Sequence, residues 1–434
     1  MRMRRMLPIL VLSVLPAAVL MIAPGRSLAA GYSLYEQSGR ALGFAGAFVA
    51  RANDASSIFF NPAGLARLDH GEIYAGTSLI IVSREFAGTA PFPGYGVEES
   101  SPDKVFAPST FYWGHPVTED FGVGFGFYSP YGLSTEWDNP EQFSGRFIST
   151  KASITPFYFN PAAALEVTPG VRLGAGLMAI YSSVELNRHI GMANPADVGP
   201  DVLDLGTVSL NGDTGGLQFG FNLGLQLDLG DRVTVGANYR SGVNLDFDGD
   251  ANFTFLGTGS PLDPQLQPLF PKDQKVKTAL PMPAMFVGAL AVQVSPKVSV
   301  EADLGWTQWS DFDVLKLRFE DPSLNSDVVE QWDDALFIRT GAEIVLNPTY
   351  DLRLGYYYDD TPQNTAEVSP LLPDAIRHGL SAGIGWKHER WRADLFGLLL
   401  LTPERSTDGI NRNGYEGNYA TATQITGVSV GLSY

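Results

Sequence analysis

Alternation of apolar and polar residues is the dominant pattern along this chain. The longest run places apolar side chains at every second position, at Leu217, Phe219, Phe221, Leu223, Leu225, Leu227 and Leu229. The pattern resumes at Val233 and recurs over 298–306 and 352–358. A period of two residues is typical of β-strands whose two faces meet different surroundings. The chain is therefore predicted to be all-β.

Fourteen strands are predicted from these runs and from the turn residues between them. Their bounds are 71–83, 106–117, 121–130, 148–168, 170–186, 214–229, 232–247, 277–295, 297–318, 333–346, 350–359, 376–388, 391–402 and 422–434. Several exceed the ~5–6 residues of an ordinary strand and reach the ~9–11 residues that cross a membrane. Tight turns alternate with long connections, notably 187–213, 248–276 and 403–421. This arrangement predicts a 14-stranded antiparallel transmembrane β-barrel, which leaves no strand edge unpaired in lipid.

A soluble β-sandwich also shows alternation, but other features favour the membrane barrel. Aromatic residues cluster near the ends of the runs, as in interfacial girdles. They are Trp113, Tyr128, Tyr131, Trp306, Trp309, Tyr356 to Tyr358, Trp386 and Trp391. Charged residues make up only 18% of the chain, which is low for a soluble surface. The last strand ends on alternating apolar residues and Tyr434, which resembles the signal read by barrel-insertion machinery.

The first 29 residues have the organisation of a secretory signal peptide. A basic start precedes an apolar stretch over 6–23, and Ser27 and Ala29 supply the small residues of a cleavage site. The remaining chain contains no apolar run long enough for a transmembrane helix. A net charge of −18 argues against a nucleic-acid partner. We therefore expect an exported protein that is cleaved after Ala29, with Ala30 as the alternative position.

Signals of enzyme, metal or cofactor chemistry are weak in this sequence. Gly427-Val428-Ser429-Val430-Gly431 has the spacing of a nucleophile elbow, but that motif requires a strand, a turn and a helix, and this run is predicted as a strand. The chain has no cysteine, and its five histidines lack metal-ligand spacing. We therefore expect no enzymatic activity, no metal and no cofactor.

Residues 30–70 precede the first strand and do not alternate. They are rich in glycine and alanine, at Gly39, Ala41, Gly43, Ala45, Gly46, Ala47 and Ala50. Small residues allow a backbone to pack closely against a wall. We therefore predict three parts: a signal peptide over 1–29, a small helical hatch over 30–70 in the lumen, and the barrel over 71–434.

The segment AGYSLYEQSGRALGFAGAFVARANDASSIFFNPAGLARL resembles the beginning of mature FadL/TodX-family proteins. The resemblance continues through FGVGFGFYSPYGLSTEW, LGAGLMAIYSSVELNR, LPMPAMFVGALAV, DLGWTQWSDFDVLKL and LLPDAIRHGLSAGIGW. The family comprises outer-membrane transporters of long-chain fatty acids and aromatic hydrocarbons. The resemblance implies a monomeric 14-stranded barrel with an N-terminal hatch. Such a protein would lie in the bacterial outer membrane, in contact with its lipid and lipopolysaccharide.

The same resemblance implies roles for two short motifs. Asn61, Pro62 and Ala63 would lie at the periplasmic base of the hatch and close the lumen, although the residues alone indicate only a turn.

Pro130, Tyr131 and Gly132 belong to the second motif, in or next to the third strand. Pro130 and Gly132 predict a kink or bulge there. In the family such a kink opens a lateral gap, whereas the residues alone also fit the simple end of a strand.

Three residues match family positions that contact the ligand. Arg188 and Lys316 would approach a bound carboxylate, which is costly to bury unless a cation pairs with it. Tyr32 would insert into the ligand pocket from the mature N-terminus. Each residue also has an alternative role. Arg188 would be a solvated loop residue, Lys316 would belong to a charge network in the lumen, and Tyr32 would be an aromatic residue in the core of the hatch.

These expectations lead to the hypothesis of a passive outer-membrane channel for hydrophobic molecules, with long-chain fatty acids as the first substrate class. Uptake of aromatic hydrocarbons is the alternative within the transport class, and it would make Arg188 and Lys316 dispensable. Alternatives of other classes are an outer-membrane lipase, for which no histidine has a credible serine partner, and a polar porin, which a hatch disfavours. A soluble secreted β protein is the remaining alternative.

Overall fold

The computed structural model describes residues 31–194 and 201–434, so the predicted signal peptide lies outside the described residues. Strands are numbered here in chain order: β1 (Glu72–Gly88), β2 (Glu98–Ser100), β3 (Lys104–Phe106), β4 (Ser109–Pro116), β5 (Phe121–Tyr128), β6 (Leu133–Glu136), β7 (Lys151–Thr168), β8 (Val171–Ala193), β9 (Val202–Asp213), β10 (Gln218–Asp228), β11 (Val233–Arg240), β12 (Val243–Phe255), β13 (Gln274–Met282), β14 (Met285–Ser295), β15 (Val298–Thr307), β16 (Val314–Phe319), β17 (Ser326–Val329), β18 (Ala335–Val345), β19 (Tyr350–Asp359), β20 (Arg377–His388), β21 (Trp391–Leu401), β22 (Arg405–Ser406) and β23 (Gly417–Ser433).

Fourteen of these strands form the wall of a closed antiparallel barrel. Their order around the wall is β1, β4, β5, β7, β8, β10, β11, β14, β15, β18, β19, β20, β21 and β23. Pairing of β1 with β23 from Glu72 opposite Ser433 to Gly88 opposite Gly417 closes the barrel. All fourteen predicted strands are present, and the predicted fold class is confirmed. The end of the wall with the tight turns is called the turn end, and the opposite end the loop end.

Three of the strand predictions are too long. The candidates 232–247, 277–295 and 297–318 each combine a wall strand with a strand of a second sheet. In 277–295 the break lies at Pro283-Ala284, where proline supplies no N–H to the ladder. The outer sheet consists of the loop-end half of β8 with β9, β12, β13, β16 and β17.

The outer sheet also corrects two of the predicted long loops. Strand β9 lies within 187–213, and β12 and β13 extend into the two ends of 248–276, which shortens that connection to 256–273. In β12 the acidic residues Asp248 and Asp250 face outward, while Phe247 and Ala251 are buried. The outward acidic positions gave this stretch the composition of a surface loop and concealed its alternation.

The two faces of the wall are inverted relative to a soluble protein. In β10, Phe219, Phe221 and Leu223 are exposed, whereas Asn222 and Gln226 are fully buried toward the lumen. Apolar side chains outside and polar side chains inside are the arrangement that lipid around a barrel requires.

The predicted aromatic girdle is present only in part. Trp386 and Trp391 are exposed near the turn end. Tyr128, Tyr131 and Trp309 are instead at most 1% exposed and lie inside the barrel, so their interfacial prediction is wrong. Sequence position near a strand end did not reveal which face each ring occupies.

Residues 31–70, called the hatch here, lie within the barrel. The helices are α1 (Gly39–Gly43), α2 (Ser57–Phe60) and α3 (Asp263–Leu266), and the 3₁₀ helices are Pro62–Arg67, Gln267–Leu269, Trp309–Asp311, Pro322–Leu324 and Thr365–Glu367. Helix α1 packs against β19, β20 and β21, whereas the 3₁₀ helix Pro62–Arg67 packs against β7, β8 and β10. The hatch therefore contacts opposite parts of the inner wall. Among the described helices, none has the length and apolar character needed to cross a membrane.

Candidate functional site

Asn61 joins the base of the hatch to the wall. Its Nδ2 donates to the carbonyl oxygens of Val49 and Leu225, both at 2.9 Å, and its Oδ1 accepts from the Ala63 N–H at 3.2 Å. Pro62 begins the following 3₁₀ helix, where a missing N–H is tolerated. The three motif residues thus lie together, near the turn end of β10.

The wall is shaped to receive this base. A Cβ at Gly174 would lie 2.3 Å from the backbone nitrogen of Ala63, and a Cβ at Gly224 would lie 2.1 Å from Asn61 Oδ1. Both distances are far below van der Waals contact, so these positions require glycine. Protein backbone therefore fills the lumen here.

Ion pairs anchor the middle of the hatch to the wall. Arg40 and Arg392 pair with Asp54 at 2.9 and 3.0 Å, and Arg51 pairs with Glu343 at 3.4 Å. Burial opposes ionisation of Asp54, but the charges of Arg392 and Arg40 outweigh it and lower its pKa to about 2. Since Glu343 belongs to β18 and Arg392 to β21, these pairs hold the hatch on two sides.

The beginning of the hatch pairs with the interrupted third wall strand. The Leu34 N–H donates to the Pro130 carbonyl at 2.8 Å, and the Gly132 N–H donates to the Tyr32 carbonyl at 3.0 Å. A β-bridge between Ser33 and Tyr131 lies between these bonds. The structure therefore brings together two sets of residues that the sequence analysis singled out separately.

The wall is interrupted where this pairing occurs. Strand β5 pairs with β7 up to Tyr128, and β6 resumes the pairing at Leu133, opposite Ile154. On the other side, β4 pairs with β5 only as far as Phe111 opposite Phe127, and β6 has no second partner strand among the described residues. Pro130, Tyr131 and Gly132 form the interruption. The stretch without strand pairing between β3–β4 and β6 is called the wall gap.

Two cavities meet at this place. The large cavity, of about 770 Å³, extends from Tyr32 and Leu34 in the lumen to Pro108, Ser109 and Phe127 at the wall gap. The small cavity, of about 90 Å³, lies beneath the outer sheet, and its lining is mostly apolar. Tyr32, Leu133, Ile154 and Leu372 line both cavities.

Tyr32 is buried in an aromatic cluster at this boundary. Its ring centroid lies 4.6 Å from that of Trp309, 5.9 Å from that of Trp332 and 6.1 Å from that of Tyr131. Its hydroxyl donates to the Pro281 carbonyl at 3.3 Å, and burial raises the pKa of this hydroxyl well above the usual value. The ring therefore lies at the boundary of the two cavities, together with Leu133, Ser153, Ile154 and Leu372.

The two predicted cations lie near the small cavity but line neither cavity. Arg188 is partly buried on the same face of β8 as the cavity-lining Leu186, and it has no ion-pair partner among the described residues. Lys316 is exposed on β16, opposite Asp327, while the flanking Leu315 and Leu317 line the small cavity. Of the three predicted ligand contacts, the structure brings only Tyr32 to a cavity, and all three roles remain predictions.

Sequence reasoning missed the loop residues that enclose Tyr32. Trp332 donates from Nε1 to Glu330 at 3.0 Å, and Glu330 lines the small cavity. Burial raises the pKa of this carboxyl group to about 8. Both residues lie between β17 and β18, in a stretch without periodic pattern, so no local signal indicated that they fold back onto Tyr32.

Relatives of known name resemble this chain over most of its length. A 47 kDa outer membrane protein of Pasteurella multocida (strain Pm70) is 29% identical over 379 residues, which cover 86% of this chain and 87% of that protein. The long-chain fatty acid transport protein of Escherichia coli (strain K12) is 26% identical over 397 residues, with 86% and 87% covered.

Solved structures share the fold. A FadL homologue of Pseudomonas aeruginosa superposes with a TM-score of 0.82 at 18% identity, covering 93% of this chain and 99% of that one. The P. putida toluene transporter TodX superposes with a TM-score of 0.68 at 15% identity, covering 94% and 99%.

A family match identifies the class of protein. The family described as outer membrane protein transport protein (OMPP1/FadL/TodX) matches residues 20–396. The expected outer-membrane location is thereby confirmed, and the lipase alternative is excluded because the relatives are transport channels. The chain belongs to the OMPP1/FadL/TodX family of outer-membrane transporters of hydrophobic substrates.

Proposed function

We propose that this protein carries long-chain fatty acids passively through the outer membrane and releases them sideways through the wall gap. The observation that carries the proposal is the continuity of the large cavity from Tyr32 in the lumen to Pro108 and Ser109 at the gap. The direct route toward the periplasm meets the packed hatch base at Asn61 instead. No energy source is required, because the ligand moves down its own concentration gradient.

The size of the large cavity supports a long-chain ligand over a single aromatic ring. A cavity of roughly 150 Å³ is sufficient for benzene, whereas this one measures about 770 Å³. Burial stabilises an acyl chain by about 0.8 kcal/mol per CH₂, so longer chains gain more from such a space. The fatty-acid transport protein of E. coli supports the same substrate class by name, whereas the name of TodX supports toluene.

Arg188 and Lys316 fit an early contact with the carboxylate, before the ligand passes Tyr32. Both lie near the small cavity at the loop end, and Arg188 has no acidic partner among the described residues. In this proposal the apolar small cavity receives the first part of the chain. Displacement of Tyr32 then connects the small cavity with the large one.

Binding of oleate and of toluene to the detergent-purified mature protein tests the substrate class. We expect oleate to bind more tightly than toluene, and Arg188→Ala and Lys316→Ala to weaken oleate binding alone. Equal or tighter toluene binding that ignores both substitutions would assign the protein to hydrocarbon uptake. Heat-modifiable gel mobility of each variant serves as the control for barrel folding.

A reversible cross-link tests the role of the N-terminal segment. Ser33 and Tyr131 form a β-bridge, and the chain has no native cysteine, so Ser33→Cys with Tyr131→Cys can form one defined disulfide. We expect oleate uptake by cells to stop when this pair is oxidised and to return on reduction. The pair Val235→Cys with Leu290→Cys, which joins β11 and β14 away from the gap, is the control. Unchanged uptake in the oxidised Ser33–Tyr131 pair would contradict the proposal.

A further inference from the structure

Arg84 occupies an unusual position at the loop end of the wall gap. It lies on the lumen face of β1 and lines the large cavity. Its Nη1 donates to the Ser134 carbonyl of β6 at 3.1 Å, so the side chain reaches across the gap. Its Nε is buried and has no hydrogen-bond partner. One donor of the guanidinium therefore lacks a partner.

Other cations of the large cavity are neutralised by neighbouring acids. Lys104 pairs with Glu136, Lys151 with Glu185, Arg339 with Asp359, and Arg377 with Asp374. Within residues 31–194 and 201–434, no carboxylate lies within ion-pair distance of Arg84. Among the described cations that line the large cavity, Arg84 is therefore the one without an ion-pair partner.

Glu36 also lines the cavity, but it cannot neutralise Arg84 locally. The Glu36 carbonyl accepts from Ser78 Oγ at 3.5 Å. Ser78 and Arg84 lie on the same strand, separated by roughly 20 Å at ~3.3 Å per residue. Burial also raises the pKa of Glu36, which favours its uncharged form. The charge of Asp374 also acts on Arg84, but at a distance beyond an ion pair, and Asp374 is paired with Arg377 at 2.7 Å. Arg84 is therefore available to an anionic ligand.

We propose that Arg84 binds the carboxylate of a fatty acid at the wall gap while the acyl chain passes outward along Phe127 and Phe157. A guanidinium shielded from water is costly without a counter-charge, and a carboxylate can satisfy it with charge-assisted hydrogen bonds. The inference rests on the proposed function and deepens it, because it specifies an anionic substrate and a contact separate from Arg188 and Lys316.

The height of Arg84 in the wall fits release of the chain before the headgroup. Arg84 follows Glu72, at the turn end of β1, by about 40 Å of strand, which corresponds to roughly 30 Å along the barrel axis at the usual tilt. This distance is close to the thickness of the apolar band of an outer-membrane barrel. A carboxylate held there would lie at the level of the outer headgroups, and its chain would enter the outer leaflet.

Oleate and oleyl alcohol, which differ in the headgroup, test this inference on the full mature protein. We expect Arg84→Gln to weaken oleate binding about tenfold or more, as for loss of a charge-assisted hydrogen bond, and to leave oleyl alcohol binding unchanged. Arg84→Lys should restore part of the loss. Arg318→Gln removes an exposed arginine of β16 that lines neither cavity, and it is the matched control.

The carboxyl pKa of bound ¹³C-labelled oleate shows whether Arg84 contacts the ligand or only stabilises the protein through its hydrogen bond across the gap. An adjacent guanidinium lowers that pKa, so we expect it to rise in Arg84→Gln and to stay unchanged in Arg318→Gln. Equal oleate affinity and equal carboxyl pKa in wild type and Arg84→Gln would overturn the inference while leaving hydrophobic transport intact. Failure of the wild type to bind either lipid would instead refute the proposed function.

Discussion

Tyr32 is one of the residues that line both cavities. Its ring packs at 4.6 Å from Trp309 and 6.1 Å from Tyr131, and its backbone carbonyl accepts from the Gly132 N–H. Aromatic pairs of this geometry contribute about 0.5–1.5 kcal/mol each beyond their buried area. These contacts, with those of the ring to Phe312 and Trp332, hold the N-terminal segment against the interrupted strand.

Removal of the Tyr32 ring should open this segment more often. Loss of the four ring contacts, with Trp309, Phe312, Trp332 and Tyr131, amounts to about 2 kcal/mol or more, which corresponds to an open population at least roughly tenfold larger. We expect a Ser33→Cys probe to react about tenfold faster with a maleimide in Tyr32→Ala than in an otherwise native background. Tyr32→Phe, which keeps the ring, is the control, and an unchanged rate in Tyr32→Ala would show that the ring does not hold the segment.

Asp54 holds the middle of the hatch in place, whereas the N-terminal segment around Tyr32 is expected to open. Its partners Arg40 and Arg392 are both largely buried, so neutralising Asp54 leaves two cations without this counter-charge. Breaking a buried pair in this way costs about 3–5 kcal/mol. We expect Asp54→Asn to speed hydrogen exchange of the hatch amides while the wall amides stay protected. Uniform exchange of hatch and wall would refute this local role.

The pKa of Asp54 sets the pH at which this anchoring fails. Because its pKa is lowered from 3.8 to about 2 in the folded protein, the stabilisation is present above about pH 4 and is lost as pH falls toward 2. Hatch exchange at fixed temperature should therefore be steady from pH 7 to pH 4, after correction for intrinsic rates, and rise below it. A rise centred near pH 6 would assign the anchoring to another group.

Secondary-structure elements divide the hatch into a fixed part and a releasable part. The 3₁₀ helix Pro62–Arg67 packs against β7, β8 and β10, and α1 packs against β19, β20 and β21. Residues 32–34 form only a single bridge and two backbone hydrogen bonds with the interrupted strand. Local opening is therefore expected at the beginning of the hatch and not at its base.

The loop between β17 and β18 adds a pH-dependent contact to this region. Burial raises the pKa of Glu330 from 4.5 to about 8, so the carboxyl group is mostly neutral at pH 7 in the folded protein. A raised carboxyl pKa means that packing of the loop loses stability as pH rises from 4.5 to about 8. We expect acrylamide quenching of tryptophan fluorescence to increase over this range in wild type. Glu330→Gln, which keeps an acceptor for Trp332, should remove the increase, and an identical increase in both proteins would contradict the assignment.

How far the sequence predicts these elements depends on the range of the interactions. Every wall strand was predictable from its own residues. In β10, for example, Phe219 and Leu223 face outward and Asn222 faces the lumen, so apolar and polar residues alternate along the strand. Two other features depend on pairing between distant segments. They are the break between β13 and β14 at Pro283 and the extension of β12 and β13 into the ends of 248–276. The free charge of Arg84 likewise depends on which acids the closed barrel brings near it.

At the scale of the whole molecule, the hatch base and the large cavity differ in how much space the described residues leave. Backbone of the hatch base fills the lumen near Asn61, where Gly174 and Gly224 leave no space for a side chain. The large cavity instead reaches the wall gap beside Pro108 and Phe127. Val105 and Phe157, near the gap, are exposed apolar residues. These features are the basis for proposing exit into the membrane over exit into the periplasm.

The most direct test of this account is to map the path of a photoreactive oleate, with a diazirine near the methyl end, through the protein in native outer membranes. After irradiation during uptake, we expect cross-linked peptides from 104–109 and 127–133, the two sides of the wall gap. Cross-links should be absent from the hatch base around Asn61 and from the turn-end surface below it. Predominant labelling of the hatch base, with none at the gap, would show that the ligand passes straight to the periplasm and would contradict lateral release.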